Sequence, residues 1–209
     1  MTEGGERFDG FISGAVYDGI ARITGYGPEF YRRAAMAIPV RPGMTLLDLG
    51  CGTASLSLAL ADRMDGQGKI IGIDISEKQL KCAKKKVRTS PVPIALRNES
   101  FQSLPLEDLS VDGICMSEVL HGLSENEQLE TLRESSRVLR KGGFFALVDW
   151  SRPKLGYVAA VWSFSLLGYR HTHNWKGTYP KLFETVGLEL VTDVYLDSLN
   201  RCQVFEKPV

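Results

Sequence analysis

The chain has no net charge bias: 25 lysines and arginines stand against 25 aspartates and glutamates in 209 residues. That balance gives no global attraction to a polyanion or an anionic membrane surface, so neither nucleic acid nor a membrane is an expected partner. Cysteine is sparse. Cys51, Cys82, Cys115 and Cys202 lie far apart with no Cys-x-x-Cys pair, which argues for reduced thiols rather than a disulfide framework. Histidine is scarcer still, with only His121, His171 and His173 available to supplement those thiols, and no metal is expected. Long apolar runs are missing too. The most apolar later stretch, residues 157–167, falls short of the ~20 residues needed to cross a bilayer. The opening Met-Thr-Glu-Gly-Gly-Glu-Arg has no apolar core behind a basic head, so no signal peptide is expected. What remains is a soluble, cytoplasmic protein, long enough for one domain with a sizeable core.

From residue 45 onward, strand and helix patterns alternate, the pattern of a parallel sheet with helices on both faces. Strands are expected at 45–49, 69–74, 94–97, 111–116 and 144–149. Helices are expected at 55–64, from Ser76 to about Val87, and from Ser124 to about Arg140, the last stopped by Lys141-Gly142-Gly143. Ser76 with Gln79, and Ser124 with Glu127, have the spacing of capping boxes. Further helices are expected at 155–168 and 179–186. Residues 188–196 and 202–206 read as a closing antiparallel hairpin. The fold class is therefore α/β: a Rossmann-like, doubly wound, mostly parallel sheet. Residues 1–43, rich in aromatics such as Phe8, Phe11, Tyr17, Tyr26 and Phe30, read as a helical lid or as a cover for the sheet.

Residues 46–55 run Leu-Leu-Asp-Leu-Gly-Cys-Gly-Thr-Ala-Ser, an apolar strand passing through a glycine turn into a helix. Glycine at 50 and 52 lets backbone turn sharply and approach a ligand closely. The next strand delivers Asp74, placed to accept hydrogen bonds from two ribose hydroxyls. Dinucleotide sites favour Gly-x-Gly-x-x-Gly, but the last of those positions is Ser55 here. Asp48 would repel a pyrophosphate and favour an ammonium or sulfonium. A nicotinamide-dependent reductase is therefore disfavoured.

On these residues the chain resembles the class I S-adenosylmethionine-dependent methyltransferases, and is similar to the ubiquinone and menaquinone C-methyltransferase subgroup. The resemblance rests on Phe8 and Phe11 ahead of Tyr17-Asp18, on Leu47 to Thr53, and on Gly72 to Ser76. It continues through Ser103-Leu104-Pro105-Leu106 and Val138 to Gly143. It implies S-adenosylmethionine as cofactor and S-adenosylhomocysteine as product. Asp48, Gly50, Cys51 and Gly52 would surround the methionine portion. Asp74 would bind the ribose, Ile75 would pack on adenine, Ser117 would line the sulfonium side, and Tyr17 would close over the cofactor. Two departures stand out: Ala54 replaces the usual third glycine of the turn, and Ser100 occupies the position of an adenine-reading aspartate. Ser100 and the Phe101 N–H would then supply the adenine contacts.

The resemblance also divides the single domain: 44–150 is the cofactor-binding core, 151–187 the acceptor side and 188–209 the closing hairpin. Methyl transfer from a sulfonium demands alignment and exclusion of water, and a base only if the nucleophile must lose a proton. His121, just past strand four, is the candidate for that base; a packing histidine is the other reading. Tyr157, Trp162, His171 and His173 are candidate acceptor contacts. The acceptor is expected to be a small molecule, whether quinone-like, phenolic, lipid or amine, and the protein a monomer or homodimer. A cofactor-binding sensor or partner subunit without turnover is the alternative. Nucleic-acid methylation is unsupported, because Ser117-Glu118-Val119-Leu120 stands where base-methylating enzymes carry Asn/Asp-Pro-Pro-aromatic.

Overall fold

A computed structural model describes residues 26–151 and 177–209. Seven strands form one sheet: β1 (Thr45–Leu49), β2 (Lys69–Ile73), β3 (Ile94–Arg97), β4 (Val111–Ser117), β5 (Leu139–Trp150), β6 (Glu189–Tyr195) and β7 (Asn200–Glu206). Their order is β3-β2-β1-β4-β5-β7-β6. β1 to β5 pair in parallel, and β7 joins β5 and β6 antiparallel. The strand order reverses between β1 and β4, and open α/β sheets bind ligands at the carboxyl ends flanking such a switch point.

Alternation along each strand divides the core into two layers. Leu46, Ile70, Cys115, Ala146, Val148 and Val204 face α1 (Pro28–Ala37) and α2 (Ser55–Ala61). Leu47, Ile71, Ile114, Met116, Leu147 and Phe205 face α4 (Glu125–Val138) and α5 (Tyr179–Glu184). In that second layer Phe183 stacks on Phe205 with ring centroids 3.8 Å apart. α3 (Glu77–Lys86) follows β2, and its start is fixed by Ser76, whose hydroxyl accepts from the Gln79 N–H. α4 opens on a reciprocal capping box. Ser124 Oγ accepts from the Glu127 N–H at 3.4 Å, and the Glu127 carboxylate accepts from the Ser124 N–H at 2.7 Å.

Several observed elements depart from the expected boundaries, and α5 ends at Glu184 rather than at residue 186. The helix after β1 stops at Ala61 rather than near residue 64 and finishes in tight turns. α4 ends at Val138, and β5 begins at Leu139 with no connecting loop. Leu139 is extended, fully buried and paired with Val111, so its apolar side chain joins the sheet. The glycines expected to stop the helix instead lie in a bulge, because pairing jumps from Val111–Leu139 to Gly113–Phe144. Gly142 has φ +71° within that bulge. β7 starts two residues early, where Asn200 is enclosed by Asp197. The helix expected at 155–168 and the segment before residue 26 lie outside the described residues. Among the described residues, no helix is long and apolar enough to cross a membrane, and all four cysteines are free thiols.

Candidate active site

The glycine turn is built as its sequence requires. Gly50 has φ +73°, and a Cβ there would lie 2.3 Å from Val119 Cγ2. Only glycine lets the end of β1 approach the end of β4 this closely. Gly52 has φ +51°, and its N–H donates to Asp74 Oδ2 at 2.8 Å. The second oxygen of Asp74 accepts from the Ser76 N–H at 2.8 Å, while Asn98 Nδ2 donates to the Asp74 carbonyl at 2.9 Å. Asp74 is thus aimed by the turn and by the start of α3. A carboxylate has about four acceptor positions, so these donors do not preclude a sugar diol. Beside it Ile75 is 41% exposed, an apolar surface in the position expected to meet a flat base. Ala54, in place of the third glycine, adopts the left-handed conformation at φ 63°, which costs roughly 1–2 kcal/mol in a residue with a Cβ.

Asp48 and Cys51 lie beneath this turn. Asp48 is 1% exposed and accepts a hydrogen bond from Ser57 Oγ. Burial pushes its pKa up to about 7; the Ser57 bond opposes this and the charge of Asp74 adds to it. Its carboxyl therefore supports the turn from within the protein. Cys51 is buried against Gly72, where an added Cβ would lie 3.0 Å from the sulfur. Burial pushes the Cys51 thiol pKa well up, and Asp48 and Asp74 reinforce this, so it is a packing group rather than a nucleophile.

The loop after β3 is fastened from the sheet's other layer. Arg137 on α4 donates to the carbonyls of Leu104 and Leu106 at 2.9 and 2.8 Å and pairs with Asp108 and Glu134. Glu134 in turn accepts from the Leu104 N–H at 2.9 Å. The Arg137 hydrogen bonds hold the Glu134 carboxyl below the usual carboxylate range. Within this loop, the side chain of Phe101 is buried in the core, and the exposed hydroxyl of Ser100 is bonded to Gln102.

At the far side of the switch point, β4 and β5 bring three ionisable groups together. One ligand atom each from Glu118, His121 and Asp149 lies within 4.8 Å of the other two. His121 stands on a short 3-10 turn, Leu120–Gly122. Its Nδ1 contacts Asp149 Oδ1 at 2.5 Å, its N–H donates to Asp149 Oδ2 at 3.2 Å, and its ring stacks on Trp150 at 5.1 Å. Asp149 is fully buried. Burial alone would lower the His121 pKa; the charge and hydrogen bond of Asp149 outweigh it and raise the pKa. Ligands sharing one divalent ion at about 2.1 Å would lie roughly 3 Å or more apart, so the shorter contact is a hydrogen-bonded pair. The pairing leaves Nε2 as the proton-accepting atom when the ring is neutral. Ser117 Oγ and Glu118 Oε1 are shielded from solvent, with no hydrogen-bond partner among the described residues.

The structure thus gathers Gly50, Cys51, Gly52, Asp74 and Ile75 at one half of the switch point, and Ser117 and His121 at the other. Tyr17, Tyr157, Trp162, His171 and His173 lie outside the described residues. Sequence reasoning missed Glu118 and the Arg137 clamp, and left Asp149 without a partner. A carboxylate ending β5 beside a histidine just past β4 was the signal that could have paired them.

Residues 46–143 match a family model described as a methyltransferase domain. The chain is 30% identical over 191 residues to the demethylmenaquinone methyltransferase of Desulfitobacterium hafniense, spanning 82% of this chain and 75% of that one. Its fold is shared with a SAM-dependent methyltransferase from Aquifex aeolicus, with a TM-score of 0.65 and 22% identity over 91% and 95% of the two chains. It is also shared with a structure described as a complex of the Haloferax volcanii Trm112 methyltransferase activator and a putative methyltransferase. There the TM-score is 0.75, with 20% identity over 93% of this chain and 95% of that one.

Proposed function

The chain belongs to the class I S-adenosylmethionine-dependent methyltransferases, and on that premise we propose that its acceptor is a phenolic or hydroquinone-like small molecule activated by loss of a proton. The observation that carries this reading is the His121–Asp149 pair at the carboxyl ends of β4 and β5. A base oriented by a buried carboxylate is of use only where the nucleophile carries a proton to remove. The similarity to a demethylmenaquinone methyltransferase supports the same acceptor class.

The residues present fit the cofactor. The Gly50–Gly52 turn exposes backbone where a Cβ would intrude, Asp74 is pre-oriented by two backbone donors, and Ile75 offers an apolar face. When bound, S-adenosylmethionine supplies a methyl carbon whose bond to sulfur breaks, the electron pair staying on sulfur, as the bond to the acceptor forms. Asp74 and the glycine turn bind and orient; β4 and β5 hold the acceptor side. His121 Nε2 takes the acceptor's hydroxyl proton, and Asp149 stabilises the imidazolium that results and fixes its tilt. For a hydroquinone the proton removal makes both oxygen and ring carbon nucleophilic, and a ring carbon that is methylated then sheds its own proton while the oxygen takes one back from His121. The net change is acceptor–H plus methyl donor to acceptor–methyl, demethylated donor and one proton.

The test is methyl transfer from labelled S-adenosylmethionine to a panel of a short-chain 2-prenyl-1,4-naphthohydroquinone, simple phenols and primary amines, under reducing conditions. The hydroquinone or the phenols are expected to be labelled, and His121→Ala to lower that turnover with S-adenosylhomocysteine affinity unchanged. Labelling confined to amines, or full turnover in His121→Ala, would refute the reading.

A further inference from the structure

One carboxyl group at the acceptor side has no assigned work. Asp149 already accepts from three donors: the His121 N–H, the His121 ring and the Trp150 N–H. Asp197, in the β6–β7 connection, is enclosed by the N–H groups of Leu199 and Asn200 and by the Asn200 side-chain amide. Glu118 faces both. It continues the β4 ladder, with its N–H donating to the Val148 carbonyl at 2.8 Å, then turns into the left-handed region at φ 58°. Its Oε1 is shielded from solvent and makes no hydrogen bond among the described residues. The ionisable groups facing it are Asp149 from β5, His121 from the 3-10 turn, Asp197 from the hairpin connection, Tyr26 ahead of α1 and Tyr179 on α5.

A carboxylate here would stand beside two others, and its nearest cationic partner, His121, is already bonded to Asp149. Burial first, and then the charges of Asp149 and Asp197, push the Glu118 pKa well above the ordinary carboxyl range. The protonated form has an O–H to give, on an oxygen that makes no hydrogen bond among the described residues. An acceptor hydroxyl that loses its proton to His121 becomes an oxyanion close to Asp149, where a second negative charge is unfavourable. A carboxylic acid kept neutral by its surroundings can offset that cost by donating to the developing charge.

We propose that Glu118 is the acceptor-reading residue of this site, its carboxyl O–H donating a hydrogen bond to the same acceptor oxygen whose proton passes to His121. The inference rests on the acceptor reading above and sharpens it. Glu118 and His121 each place a ligand atom within 4.8 Å of the other, so both groups border the same space. Glu118 keeps its proton throughout, and the acceptor's hydroxyl proton passes to Nε2. The chemistry so recognised is an acidic hydroxyl on an aromatic or enolic carbon. A cationic amine would require the ionised carboxylate instead.

Comparing Glu118→Gln with Glu118→Leu, using the 2-prenyl-1,4-naphthohydroquinone as probe, separates these cases. Glutamine keeps a neutral donor and is expected to retain kcat/KM within about threefold. Leucine removes the donor and is expected to lose on the order of 100-fold. In the wild type kcat/KM should decline as rising pH ionises Glu118, and this limb should be absent from Glu118→Gln. S-adenosylhomocysteine titration and a thermal melt of each variant check that the fold is intact. Equal impairment of Gln and Leu in folded protein, or a Gln profile that keeps that limb, would overturn the proposal while leaving His121 as base untouched. Activity abolished by a chelator and restored by a divalent cation would overturn it as well, by assigning Glu118 to a metal. If the wild type labels only amines, the acceptor reading falls and this inference with it.

Discussion

Replacing Asp149 with asparagine removes one charge from the His121 pair and little volume, which makes Asp149→Asn the sharpest probe of the site. Asp149 is fully buried and meets His121 Nδ1 at 2.5 Å, so solvent does not dilute the interaction. A hydrogen bond to a charged group is worth about 1.5–3 kcal/mol, equivalent to roughly ten- to 150-fold in rate when the charge forms in the transition state. Two changes follow in the pH profile of methyl transfer. The plateau should fall by that factor, since the imidazolium loses its stabilising partner. The acid limb should move to lower pH, because His121 must be unprotonated to accept a proton and Asp149 is what raises its pKa. Stability changes in the matching sense. A histidine whose folded pKa is raised contributes stability fully below its unfolded pKa of about 6.5, and loses it as pH rises through the folded value. The wild type should therefore out-melt Asp149→Asn most below pH ~6.5, with part of the gap closing above the folded pKa. Initial rates with labelled cofactor from pH 5.5 to 9, and thermal melts across the same range, measure both. An unshifted acid limb with an undiminished plateau would refute the pairing as a catalytic device.

Two further perturbations test the cofactor side. Asp74→Ala should weaken S-adenosylhomocysteine binding by about 1–3 kcal/mol in a calorimeter; equal affinities would remove Asp74 from the site. Asp48→Asn should stabilise the protein above pH ~7, where burial of an ionised Asp48 is unfavourable. A carboxyl with a raised folded pKa gives its full stability below the unfolded value and loses it as pH climbs through about 7. The advantage of the variant, on the order of a few kcal/mol, should shrink toward pH 4; a pH-independent difference would contradict the assignment.

Where sequence reading succeeded and failed has physical causes. β1 fell at its expected bounds, and β2 and β4 within a residue, because buried parallel strands are short apolar runs with few alternative readings. The Ser124–Glu127 capping box and the Ser76 cap were legible because the capping group and its target are three residues apart, although the Ser76 N–H goes to Asp74 instead of completing a box. Gly50 and Gly52 were legible from the turn they make, since left-handed backbone leaves a direct trace in composition. The Lys141-Gly142-Gly143 bulge was misread as a helix stop. Glycine marks both features, and only pairing with β4 distinguishes them. The state of Glu118 was invisible for a similar reason: a glutamate becomes unusual only when Asp149 and Asp197, distant in sequence, are brought against it.

α4 spans both halves of the site. Its capped start follows directly on the turn that carries His121, and Gln128 on its first turns donates to the carbonyls of Leu120 and Leu123. Its last turn carries Arg137, which grips the strap running from residue 104 to 108. A single rigid rod therefore sets the distance between that strap and the turn of His121, and a tilt at either end would be felt at the other.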